Sequence, residues 1–143
     1  MLNSFQWITQ GVAMPPIDIA LIQDWIIRVA ESHQRIVGVI TYIFCDDNEI
    51  LRVNRMFLNH DYFTDIITFD NSRGRLIKGD IYISLDTVLS NAEQLDVSYE
   101  MELYRVIIHG ILHLCGINDK GPGEREIMEA NENAALSILT TTD

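Results

Sequence analysis

Two histidines one helical turn apart, His109 and His113, stand in the largely apolar run HGILHLCGIND at positions 109–119. At i and i+4 on a helix they share a face, so both imidazoles can reach a single ion. Gly116 follows three residues later, a residue type that readily takes the left-handed conformation in which many helices end and the chain reverses. Asp119, six positions past His113, lies on the returning segment and offers a carboxylate. Two imidazoles and one carboxylate leave a position open on a tetrahedral ion, which marks a catalytic rather than a structural zinc site. The competing reading, two core histidines, would bury both imidazoles in apolar surroundings without partners, at considerable cost. The spacing therefore predicts one Zn2+ per chain, held by His109, His113 and Asp119, with the two histidines as the catalytic candidates.

Such an ion lowers the pKa of its water toward neutrality and polarises a carbonyl or a phosphoryl oxygen. Hydrolysis of a peptide and hydrolysis of a phosphodiester both fit that chemistry. The frame HxxxHxxGxxD is also that of the metzincin peptidases, which place a general-base glutamate directly after the first histidine. Here that position is Gly110, which cannot accept a proton, so a conventional metzincin mechanism is disfavoured.

These residues need elements to position them. Residues 3–9 alternate as a strand does, and Asp18 can cap a helix running from Ile19 to about Ser32. Val37 to Cys45 is β-branched and aromatic, and a short helix from Asn48 to Leu58 follows it. Two strands, IITFD and DIYIS, flank the turn-rich NSRGRLIKG. Helices are expected over Leu85 to Leu95, over Met101 to Leu114 after the N-cap Ser98, and from Gly123 to about Leu139. The order βαβαββααα predicts a single α+β domain over residues 1–143. It has a four-stranded mixed sheet packed with about five helices, and the metal site lies at the C-terminal end of a central helix.

The composition, 48% hydrophobic and 22% charged over 143 residues, is that of a soluble globular protein. No stretch is apolar enough to cross a membrane, no leader is evident, and the cytoplasm is the expected compartment. Cys45 and Cys115 are expected as buried free thiols. A net charge of −11 argues against whole-surface nucleic-acid binding and leaves room for a local basic patch. Arg73, Arg75 and Lys78 fall within six positions, and with Arg55 they are the candidate substrate-binding cations.

HGILHLCG, preceded by VNRMFLNHDYFTDIITF at 53–69 and GDIYIS at 79–84, resembles the signature segments of the YbeY family of metal-dependent endoribonucleases. These are bacterial factors in ribosomal RNA maturation, and the resemblance runs from about residue 46 to residue 132. It implies a zinc-dependent, single-strand-specific endoribonuclease. Its expected substrate is ribosomal RNA, at the 3′ end of the small-subunit species, with the ribosomal subunit or its proteins as further partners and no DNA. Three positions depart from the family pattern. Asp119 stands where the third ligand is usually a histidine, and Leu58 and Phe63 replace an arginine thought to contact RNA and a proline. A metallopeptidase, or a non-catalytic ribosome assembly factor with a structural metal, are the alternative readings.

Overall fold

The computed structural model describes residues 4–60 and 64–140. In chain order the elements are β1 (Ser4–Gln10), α1 (Ile19–Ser32), β2 (Ile36–Cys45), α2 (Asp47–Leu58), β3 (Ile66–Asp70), β4 (Leu76–Ser84), α3 (Leu85–Leu95), α4 (Tyr99–Leu114) and α5 (Glu124–Thr140). This is the order that the hydrophobic pattern predicts. The position of Phe63 lies outside the described residues. Four helices start where a short polar side chain accepts an N–H from the first turn: Asp18, Asp46, Ser84 and Ser98.

The strands form one mixed sheet in the order β1-β2-β4-β3. β1 and β4 both run parallel to β2, and β3 closes the edge antiparallel to β4. β4 begins at Leu76, four residues before the strand expected from sequence. Lys78 and Gly79 give that stretch the look of a loop, but Leu76 and Ile77 pair with Ile36 and Val37 of β2. Gly74, at φ +57, lets the hairpin turn tightly enough for pairing to continue up to the turn.

Side-chain alternation divides the sheet. Ile40, Tyr42, Phe44, Ile77, Ile81 and Ile83 belong to the main core with α1, α4 and α5. Ile67 and Cys45 meet Ile50 and Val53 of α2 in a smaller one. The two large polar-tipped residues of the main core are both satisfied. Tyr42 donates its hydroxyl to the Ile107 carbonyl at 2.8 Å, and Trp25 donates its indole N–H to the Ala135 carbonyl at 2.8 Å.

α4 lies close to the sheet because glycines stand at the contact. A Cβ on Gly110 would sit 3.0–3.2 Å from methyls of Ile81 and Ile66. A Cβ on Gly79 would run into the Phe69 carbonyl oxygen and lie 3.1 Å from Leu114 Cδ2. The first contact is with side-chain ends, the second with backbone held in the β3–β4 ladder. Gly79→Ala is therefore expected to destabilise the protein by about 1–3 kcal/mol, seen as a lower urea midpoint. Gly110→Ala should cost less, because a gain of about 1 kcal/mol in helix propensity offsets the crowding.

Candidate metal centre

The site is made by the way α4 ends. Ile117 donates its backbone N–H to the Leu112 carbonyl at 3.0 Å, and Gly116 donates to His113 at 2.9 Å. This pair of bonds is the Schellman arrangement, and it needs the positive φ that Gly116 adopts at +94. Ile117 then packs onto the core, and Arg35 donates to the Cys115 carbonyl at 3.1 Å, tying the helix end to the loop after α1. The chain comes back along the face of α4 that carries the histidines, with Asp119 beside them.

Asp119 Oδ2 lies 3.2 Å from His109 Nε2 and 3.4 Å from His113 Nε2. One ligand atom from each of the three residues can be chosen so that all lie within 4.8 Å of one another. The imidazole rings stand nearly perpendicular, with centroids 4.5 Å apart. All three side chains are mostly buried, with 18–28% of their surface accessible. Borderline nitrogen and hard oxygen donors, converging and open on one side, fit a zinc-like ion.

A fourth residue, Glu132 of α5, completes the arrangement, and nothing in the sequence reading singled it out. His109 Nδ1 is 2.6 Å from Glu132 Oε2, Glu132 Oε1 is 2.9 Å from Arg105 Nη1, and Arg105 Nη2 donates to Asn133 Oδ1 at 2.9 Å. A signal for Glu132 exists. Met128, Glu132, Ala135, Leu136 and Leu139 form the buried stripe of α5, so a carboxylate sits where the pattern calls for an apolar side chain. Arg105 is also one turn before His109 on α4.

The charges respond accordingly. Burial opposes protonation of His109, but the hydrogen bond and charge of Glu132, aided by Asp119 and Asp65, outweigh it and raise its pKa. Burial and the neighbouring His109 lower that of His113. Burial works against ionisation of Glu132, yet its bonds to His109 and Arg105 hold its pKa below the usual carboxylate value.

The centre opens into a cleft of about 1160 Å³. Asn54, His60, Thr64, Asp65 and Thr68 line it, as do Glu124 and Glu129. Asp65 and Glu102 both bind protons more tightly than ordinary carboxylates, chiefly through burial. Among the described residues, Thr68 Oγ1 is buried without a hydrogen-bond partner. Leu58 is on the cleft wall, whereas Arg55, Arg73, Arg75 and Lys78 are not. Arg73 and Arg75 lie in the β3–β4 turn, where Arg75 donates to the Gln34 carbonyl at 3.0 Å. Lys78 extends over Gly38 of β2. Among the described residues, the cations that do line the cleft are Arg105, Lys120 and Arg125.

Residues 15–140, a span that includes every group just described, match the family model described as Endoribonuclease YbeY. A protein of that name from Phocaeicola vulgatus is 62% identical over 132 residues, covering 92% of this chain and 96% of its own length. Its namesake from Bacteroides thetaiotaomicron is 60% identical, covering 91% and 95%. One from Porphyromonas gingivalis is 51% identical, covering 93% and 88%. A solution structure of a Thermotoga maritima protein shares the fold, with a TM-score of 0.65 and 24% identity over 95% of this chain and 89% of that one. Matched nearly end to end by such relatives, and by a family model that spans its metal centre, the chain belongs to the Endoribonuclease YbeY family.

Proposed function

We propose that this chain, acting as one domain, is a zinc-dependent, single-strand-specific endoribonuclease of ribosomal RNA maturation. In this reading it works in the cytoplasm at the 3′ end of the small-subunit RNA and in ribosome quality control, alongside the ribosomal subunit. The observation that carries the proposal is the convergence of His109 Nε2, His113 Nε2 and Asp119 Oδ2 at the mouth of a cleft, in a member of this family. Buried free thiols at Cys45 and Cys115 suit a reducing compartment. Among the described residues, no helix is long and apolar enough to cross a membrane.

His109, His113 and Asp119 would hold the ion. When bound, the metal supplies Lewis acidity toward water and toward a phosphoryl oxygen. The remaining work belongs to the chain. Glu132 takes the Nδ1 proton of His109 as a hydrogen bond, which leaves the Nε2 lone pair directed at the donor cluster. Arg105 holds the other oxygen of Glu132 and so fixes its orientation. Leu58, Leu95, Val97 and Met101 give one flank of the cleft an apolar surface, suited to the faces of unstacked bases. A peptidase mechanism lacks its base: position 110 packs against Ile81 and Ile66 of the sheet, so a side chain there would be driven into the core.

Three outcomes follow. Cleavage of an unstructured RNA should stop with chelator and return with zinc. His109→Ala should lower it by about 100-fold or more, since losing even an outer-shell partner costs about 10–100-fold; casein turnover by the same preparation would contradict the assignment. Glu132→Gln should weaken zinc affinity by about 10–100-fold, measured by competition with a chromophoric chelator. Wild-type affinity in that variant, with its fold intact by circular dichroism, would remove Glu132 from the site.

A further inference from the structure

Among the described residues, seven carboxylates line the cleft: Asp65, Asp70, Glu102, Asp119, Glu124, Glu129 and Glu132. Among those residues, only Arg105, Lys120 and Arg125 oppose them. A polyanion can enter such a cleft only along the side where uncommitted positive charge is placed. Arg105 is committed, with one nitrogen on Glu132 and another on Asn133. Lys120 and Arg125 are both exposed, and neither forms an ion pair among the described residues. Glu124, close to both in sequence, has its Oε1 engaged by the Gly121 N–H at 2.6 Å, a bond that also pins the loop between the two cations.

From these placements we infer that Lys120 and Arg125 are the phosphate-binding cations of the cleft, holding the RNA strand on either side of the phosphate at the metal centre. The inference rests on the ribonuclease reading above. Lys120 follows the ligand Asp119 directly, and Arg125 stands in the first turn of α5, so both charges reach the cleft from its α4–α5 side. The apolar residues Leu58, Leu95, Val97 and Met101 come from the end of α2 and the α3–α4 region. A single strand laid between them turns its phosphates to the 120–125 loop and its bases to the apolar flank. Phosphate contacts of this kind set register and affinity and read no sequence.

The test is binding of a short, fluorescein-labelled 2′-O-methyl RNA strand to the metal-loaded protein, followed by anisotropy over a range of KCl concentrations. The variant Lys120→Gln/Arg125→Gln should bind about tenfold more weakly, and its plot of log affinity against log salt should be shallower by about 1.4, two contacts at about 0.7 each. Its zinc content should match the wild type, and KM for RNA should rise far more than kcat falls. Lys120→Arg/Arg125→Lys should restore binding. Unchanged affinity and salt slope in the first variant would overturn the inference. So would a loss confined to Arg73→Gln/Arg75→Gln/Lys78→Gln, which would move the phosphate contacts to the hairpin. A wild-type protein that binds no RNA at any salt would overturn the ribonuclease reading along with it.

Discussion

Gly116, at φ +94, turns the backbone over the last turn of α4, and the bonds from Gly116 to His113 and from Ile117 to Leu112 close the turn. A residue with a Cβ would be strained in that conformation, and without it the helix would carry Asp119 away from the histidines. The reversal also depends on what holds α4 itself. Ser98 caps its start, the Tyr42 hydroxyl bonds the Ile107 carbonyl midway, and Arg35 ties its end. Gly79 and Gly110 let the helix settle against β3 and β4, which sets the distance between the histidines and the far wall of the cleft.

Behind the donor cluster lies a set of buried charges that hydrophobic packing alone would not retain. Glu132 has little solvent access, and an ionised carboxylate at such a position is costly unless paired. His109 and Arg105 together meet that cost, and they give the carboxylate two fixed directions. The arrangement contributes orientation more than stability: one oxygen is spent on the imidazole, the other on the guanidinium, so the ring of His109 has little freedom to rotate. Glu102, buried, and half-buried Asp65 line the same cleft, and their raised affinity for protons tempers the negative field there.

Much of this was legible in the sequence, for local reasons. Helix periodicity, polar caps and the apolar strands place the nine elements of the described residues in order. The i, i+4 histidines with a glycine terminator bring Asp119 into reach, because each of those steps is local along the chain. What was not legible depends on tertiary register. Glu132 interrupts an apolar stripe that the sequence of α5 does show, but it meets His109 only because α5 packs beside α4. Arg73, Arg75 and Lys78 cluster in sequence, yet a hairpin turn and strand alternation carry them off the cleft wall. Lys120 and Arg125, five positions apart, lie on that wall because the loop between them returns along the site.

The proposed site joins His109, His113 and Asp119 on one metal, with an oxygen as the third ligand. X-ray absorption at the zinc edge, on protein reconstituted with zinc and freed of excess metal, tests it most directly. The expected result is about one zinc per chain in a shell of nitrogen and oxygen at ~2.0–2.2 Å, with scattering from two imidazoles. In Asp119→Ala one oxygen scatterer should be lost. Protein that retains no zinc would rule this site out. So would a sulfur shell at ~2.3 Å, which would implicate Cys115, a thiol that burial pushes up to about 11 and so disfavours as a ligand.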